Sequence, residues 1–366
     1  MIKVELPPWG DPQRASSPRL NKRSGSFVQQ NRGKRSICLD FARPEGREVL
    51  EALIAVSDVV VENFSPGVLD RRGLGYERLR EINPRVIVAS ITGFGQTGPM
   101  ARKPAFDSVV QAFAGLMHVT GEPDGPPLLA GMPVADVSAG VHAFAAIGHA
   151  LFARSRTGLG CHIDVAMVDA LFHQHEIPVF AASIDPDYQA VRSGQHFPTQ
   201  CPAGAFRGPD GWIVIFCTQE QVGRLWEAMG RPEYSFDDRF SDPRARVAHR
   251  DLLTNEIEAW LQTFSDDAAA LAALDRHRVP CSPVVDPGRA HAIDYYRERG
   301  VVETVEDPRM GPVNVPGFPF RVSDTPVGVD TEAPSLGADN SHVLAEVLGL
   351  DPQQIEALVT AGVVAQ

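Results

Sequence analysis

The sequence predicts an α/β fold: a large domain on a Rossmann-like parallel sheet, then a smaller α+β domain, joined by two long linkers near residues 190 and 310. Three observations carry this expectation. Helix-like and strand-like segments alternate through the first half of the chain. The strand-like runs VVVEN (59–63) and RVIVASI (85–91) are apolar without alternation, as in parallel strands covered on both faces. Near residue 190 the text turns rich in Gly, Pro and Gln, the composition of a crossing segment. At 366 residues and 43% hydrophobic content, the chain is long enough for two buried cores.

In chain order, REVLEALIAVSD places Val49, Leu50, Leu53 and Ile54 at helical spacing. Pro44 suits its first turn, where no N–H is needed. VVVEN follows as a strand, 76–82 as a helix stopped by Asn83-Pro84, and RVIVASI as the next strand. This alternation implies a parallel sheet with helices on both faces. Ligands collect beyond the carboxyl ends of such strands, which here are Asn63-Phe64-Ser65 and Thr92-Gly93-Phe94-Gly95.

TGFGQTGP (92–99) has G-x-G-x-x-G spacing. A dinucleotide site needs a helix opening at the third glycine, so that its N-terminus faces the pyrophosphate. Gly98 instead runs into PMARKP, whose prolines stop a helix. The stretch reads as a loop at the mouth of a cleft. Residues 136–155 are alanine-rich and apolar nearly all round, which predicts a buried helix. Asp136 stands at its start with two readings open: an N-cap, or a cleft carboxylate kept ionised by the helix N-terminus and available as a nucleophile.

HIDVAMVDALFHQHE (162–176) reads as a strand turning into a helix, with Asp169 at the junction either a second candidate carboxylate or a cap. His173 and His175 are two residues apart and point to opposite faces, so they cannot chelate one ion. No metal site is expected. RSGQHFPTQCPAGAF is the crossing linker, and AFRGPDGWIVIFC a hairpin turning at Pro209-Asp210-Gly211. Helices are expected at 219–229, 246–264 and 266–276, with a strand at VPCSPVVD. The expected domains are 1–190, 205–300, and a return segment 311–366 that ends in two helices.

A net charge of −12 argues against nucleic acid or an anionic membrane as partner. No uninterrupted apolar run reaches the roughly 20 residues of a membrane span, and MIKVELPPWGD lacks a secretory pattern. Five scattered cysteines without a C-x-x-C pair suit a reducing cytoplasm.

The order IKVE-x-P…GD, NRGKRSICLDF, DVVVENFSPGVLDRRGLGY, NPRVIVASITGFGQTGP, FDSVVQAFAGLM, GPPLLAGMPVADVSAG, RTGLGCHIDVAM, VPCSPV and APSLG…VLAEVLGL resembles the class III CoA-transferases. The resemblance runs over almost the whole chain. It implies that CoA passes from an acyl-CoA thioester to a carboxylic acid through aspartyl-anhydride and aspartyl-CoA intermediates. It also implies an interlocked homodimer and no permanently bound cofactor, coenzyme A thioester being a substrate.

Carried residue by residue, the resemblance makes Asp136 of GMPVADVSAG the nucleophile. A carboxylate of pKa about 3.9 is ionised at neutral pH without a base. The positions matching CoA contacts are Leu39, Asp40, Phe41, Ala42, Asn63, Phe64, Ser65, Arg71, Lys103 and Phe106, with Pro104 and Ala105 between the last two. Asp107 falls beside the reaction centre. Gly93, Gly95, Gly194 and Gln195 belong to loops that would close over reactive intermediates.

Three departures bear on this reading. Relatives carry an L-x-G-x-R-V-L-D…A-G-P strand and helix before the segment matching IKVE, so this chain is expected to lack the first βα unit. Ser65 stands where relatives often carry a basic residue, removing one phosphate contact. Phe106 stands where an α-methylacyl-CoA racemase has a histidine base, so racemisation lacks one of its proton carriers. The rival readings are that racemase and a truncated, non-catalytic acyl-CoA-binding member.

Overall fold

The computed structural model describes residues 1–325, 327–328 and 332–365. It is mixed α/β and groups into two compact units. One comprises Met1–Ser90, Ala145–Ile163 and Asp286–Gln366; the other comprises Ile91–Phe144 and Asp164–Val285. The expected return segment, 311–366, belongs to the first unit. Its residues 326, 329–331 and 366 lie outside the described residues.

In the first unit the parallel strands fall into two sheets where the sequence predicts one. Ile2–Glu5 pairs with Arg35–Cys38, from Ile2↔Arg35 to Glu5↔Cys38. Val59–Glu62 pairs with Ile87–Thr92 over Val59↔Ile87 to Glu62↔Ser90. Beyond Cys38 the chain pairs with its own C-terminal segment. The Asp40 N–H donates to the Val363 carbonyl at 2.8 Å, and the Ala365 N–H to the Cys38 carbonyl at 3.1 Å. Pro44–Ala55 is the expected helix, with Pro44 in its first turn and Val49, Leu53 and Ile54 buried. Val49 and Leu53 pack with Ile37, Leu39, Val343, Leu344 and Val363, so the two ends of the chain share one core. Burying each such side chain contributes about 1.5–3 kcal/mol.

Gly46 lets this helix start close to the preceding loop, since a Cβ there would lie 2.1 Å from the Asp40 carbonyl. The same unit holds a buried carboxylate, Glu5. It accepts from Arg14 Nε at 2.8 Å and Nη2 at 2.6 Å, from Ser36 Oγ at 2.7 Å and from the Asp11 N–H at 3.0 Å. Burial alone would raise its pKa. The bonds from Arg14, Ser36 and Asp11 outweigh that and hold it below the usual carboxylate range.

In the second unit, Cys281–Pro283, Trp212–Phe216 and Ala203–Arg207 form an antiparallel sheet in that order. The hairpin turns at Pro209-Asp210-Gly211, as expected. Its inward residues Phe206, Ile213 and Ile215 pack with Leu225, Trp226 and Leu253. The helix expected at 246–264 is two helices, Pro243–Ala248 and Arg250–Leu261, because His249 leaves helical geometry at φ −110°, ψ 28°. The break frees Arg246 to turn inward, where it donates to the carbonyls of Cys201 and Phe240 and to Gln219 Oε1.

The expectation of a buried helix at 136–155 is corrected. The helix spans Val134–Thr157, and its buried residues are Ala135, Ser138, Ala139 and Ala143. Val137, Val141, Phe144 and Phe152 are 49%, 61%, 67% and 65% exposed. Small residues give one face a close fit, while the chain leaves the large apolar side chains uncovered. By length and composition alone this helix is also long and apolar enough to cross a membrane. The search for an uninterrupted run misses it because His, Ser and Gly punctuate it.

Candidate active site

Asp136 lies in the first turn of the Val134–Thr157 helix. It is not the cap. Asp107, the first residue of the Asp107–Phe113 helix, reaches across and accepts the Ala135 N–H at 2.7 Å and the Asp136 N–H at 3.3 Å on one carboxylate oxygen. The first-turn donors, which have no partner inside the helix, are thus met by a carboxylate remote in sequence. Among the described residues no donor reaches the Asp136 carboxylate. The cap reading of Asp136 is thereby overturned. Burial pushes the Asp136 carboxyl up from its ordinary range, and the Asp107 charge adds to the rise. Both effects penalise the ionised form.

Gln111 completes the cluster. It is buried, with Oε1 accepting the Ala130 N–H at 2.9 Å and Nε2 donating to the second oxygen of Asp107. Sequence reading misses it, although a Gln four residues after an Asp on a helix is a known bonding pair.

The glycine stretch is a tethered turn in its first half. The Gly93 carbonyl accepts the Val168 N–H at 3.1 Å, and the Gln96 N–H donates to the Asp164 carboxylate at 2.9 Å. Gly95 takes φ +86°, which disfavours a side chain. Phe94 is buried and meets the Phe113 ring edge-on at 5.3 Å. Lys103 Nζ sits 5.7 Å and 5.8 Å from these two rings. The open part is Thr97-Gly98-Pro99, where a Cβ on Gly98 would meet nothing within 4 Å. The tethering bonds end at Gln96. The neighbouring Phe106 is 80% exposed.

The loop at Gly194 and Gln195 is also held. The Gly194 N–H donates to the Gly121 carbonyl at 3.0 Å, and the Ala205 N–H to the Gln195 carbonyl at 3.0 Å. Arg250 Nη2 bonds the carbonyls of Phe197 and Pro198 at 2.9 and 2.8 Å.

The remaining candidates lie in the first unit, at the carboxyl ends of two parallel strands. Leu39 is buried. Asp40 accepts the Ala42 N–H at 3.1 Å, and the Phe41 ring lies 5.2 Å from the Arg72 guanidinium. Asn63 and Ser65 are exposed; so is Phe64, whose N–H donates to Glu62. Arg71 ends the short helix Val68–Arg71, exposed and without a carboxylate partner among the described residues.

Elsewhere in that unit Ser90 Oγ and His162 Nε2 are 2.9 Å apart, and His162 stacks on Tyr76. No carboxylate is bonded to His162 among the described residues, so this pair lacks the third member of a nucleophilic triad. No group of three potential metal ligands occurs among the described residues.

Residues 1–340 match the model of CoA-transferase family III. The chain belongs to this family. It is 38% identical over 328 residues to an acetyl-CoA:oxalate CoA-transferase of Acetobacter aceti, covering 88% of this chain and 82% of that protein. To a formyl-CoA:oxalate CoA-transferase of Streptomyces coelicolor it is 34% identical over 381 residues, covering 100% and 92%. A crystal structure of a CAIB/BAIF family protein from Brucella suis superposes with a TM-score of 0.83 at 35% identity, covering 94% of this chain and 91% of that one. The α/β fold and the CoA-transferase class expected from sequence are both found. Within this family III CoA-transferase, the Asp107–Gln111–Asp136 cluster supplies an unbonded carboxylate on a backbone held in place.

Proposed function

We propose that the enzyme transfers CoA from an acyl-CoA to a small dicarboxylic acid, with Asp136 as the covalent nucleophile. The observation that carries the reading is the Asp136 carboxylate: solvent-reachable, without a hydrogen-bond donor, and raised in pKa. A more basic carboxylate is a better nucleophile, and one free of donors loses no bond on attack. An oxygen of Asp136 attacks the thioester carbonyl, the C–S bond breaks, and an acyl-aspartyl anhydride and CoA thiolate result. The thiolate then attacks the aspartyl carbonyl, releasing the donor acid and leaving aspartyl-CoA. The acceptor carboxylate displaces the thiolate to form a second anhydride. Attack of the thiolate on the acceptor's acyl carbon yields the new acyl-CoA and returns the Asp136 carboxylate.

The acceptor class follows the names of relatives, which pair CoA donors with oxalate and glutarate. In the first unit, Arg71 is the cation proposed for the CoA phosphates, with Leu39 to Ala42 and Asn63 to Ser65 at strand ends forming the rest of that seat. A homodimer is supported by the bare apolar face of the Val134–Thr157 helix, which water penalises. Five free thiols fit a cytoplasmic setting. Phe106 cannot carry a proton, so racemisation is not favoured.

The test is a panel of formyl-, acetyl- and succinyl-CoA against oxalate, glutarate, malate and citramalate, with products identified by mass. Wild type should transfer CoA in at least one pair. With donor and hydroxylamine, a single modified peptide should contain Asp136. Silence across the panel, or labelling elsewhere, would overturn the proposal.

A further inference from the structure

We infer that Gln111 is a positioning residue for Asp136, acting through Asp107; this rests on the reading of Asp136 as nucleophile. Gln111 is 1% exposed, and its amide joins two separate pieces of chain. Oε1 accepts the Ala130 N–H at 2.9 Å, which decides which end of the amide is which. Nε2 is thereby turned toward Asp107 and also lies 3.4 Å from the Met132 carbonyl. The other Asp107 oxygen takes the N–H groups of Ala135 and Asp136 at 2.7 and 3.3 Å.

One buried side chain therefore fixes both the turn that leads into the Asp136 helix and the carboxylate that caps it. Reversing the amide would set Oε1 against a carboxylate and Nε2 against an N–H, so its polarity is locked. Without the Nε2 donor, Asp107 is free to rotate, and the backbone N–H that aims Asp136 loses its acceptor.

Among the described residues, the ionisable groups on the elements around the amide are few. They are Asp107 on the same helix, Asp136 across from it, and Asp169 on the Met167–Phe172 helix packed alongside. His118 lies on the adjoining Leu116–Val119 helix, His175 Nε2 is 2.7 Å from the Ala114 carbonyl, and Lys103 lies over Phe113. None of them takes the place of the Gln111 amide between Asp107 and Ala130.

Two variants test this in the full-length enzyme, with the donor–acceptor pair that turns over in the panel above. Gln111→Leu removes both ends of the amide. It should lower kcat by on the order of tenfold to 100-fold while the KM for the donor hardly moves, because the reacting carboxylate is displaced and the CoA seat is not.

Gln111→Glu is the sharper variant. Its carboxyl can replace the amide only while it holds a proton, which it then donates to Asp107. The ratio of its kcat to that of wild type, taken at each pH, should be near one at about pH 5 and fall steeply by about pH 8. A purely structural role would lower the melting temperature and leave that ratio flat. A flat ratio together with a wild-type kcat for Gln111→Leu would overturn the inference. Asp136→Asn in the same assay separates the two claims. An active Asp136→Asn defeats the nucleophile reading, whereas an inactive one beside indifferent Gln111 variants defeats only this inference.

Discussion

Glu5 and Asp136 are carboxylates at the ends of their secondary-structure elements, one in each compact unit, and their surroundings are opposite. Glu5 is buried against a bidentate arginine, a hydroxyl and a backbone N–H, and its pKa is held down. Arg14 is itself stacked on Phe27, 4.0 Å from the ring centre. Asp136 has a second carboxylate nearby, no donor to its own oxygens, and a raised pKa. The first arrangement uses up every lone pair in holding the chain. The second leaves a charged oxygen unused and fixes only the backbone beneath it. Besides burial, what separates the structural carboxylate from the one proposed as nucleophile is whether its oxygens are already engaged.

The most demanding test of that contrast is Asp136→Ala. It should lower kcat by at least about 10³-fold, because no covalent relay can form, while affinity for free CoA stays close to that of wild type. Transfer assays and CoA titrations on the same protein check both halves.

Glu5→Gln should do the reverse. It strands Arg14 in a buried site and should cost about 3 kcal/mol in urea unfolding, with turnover per folded molecule unchanged. If this variant kept full stability, the two carboxylates would not differ as argued.

The cations of the first unit divide in the same way. Arg14 is engaged by Glu5, whereas Arg71 has no carboxylate partner among the described residues. Arg71→Ala should weaken CoA binding by about 1–3 kcal/mol and leave pantetheine binding unchanged. Equal losses for the two ligands would show that Arg71 does not meet a phosphate.

The smallest effect expected is on stability against pH. Glu5 has a lowered pKa, so its contribution is present above the ordinary carboxylate range and is lost as pH falls through its folded value. Asp136 has a raised pKa, so its contribution is full below the unfolded value and is lost as pH rises through the folded one. Asp136→Asn should therefore melt slightly higher than wild type at neutral pH, and the difference should vanish on acidification to about pH 4. Activity should fall over the same interval, as Asp136 takes up its proton. Differential scanning calorimetry and a pH–rate profile can be overlaid to check that coincidence.

Local chemistry was legible in the sequence where it was punctuated. Asn83-Pro84 ends the Tyr76–Ile82 helix, and Pro209-Asp210-Gly211 turns the hairpin between Ala203–Arg207 and Trp212–Phe216. Asp136 could be placed in a first turn, but its companions could not be found. Asp107 is 29 residues away, Ala130 is 19 from Gln111, and Asp164 is 68 from Gln96. Bonds across such separations leave no periodic trace. The apolar helix failed for a related reason. Alanines and large apolar residues together read as buried all round, and only the folded chain shows that one narrow face of Ala135, Ser138, Ala139 and Ala143 is covered.

That uncovered face has a consequence for the life of the protein in a cell. Val137, Val141, Phe144 and Phe152 are side chains that quality-control machinery recognises when exposed. In the homodimer proposed above, a newly made chain whose helix is still uncovered would be open to chaperones and proteases, so its abundance would depend on its own rate of synthesis. Substitutions at Phe144 and Phe152, further along the helix from Asp136, would then surface as shortage of enzyme in vivo, while each surviving molecule kept its normal turnover.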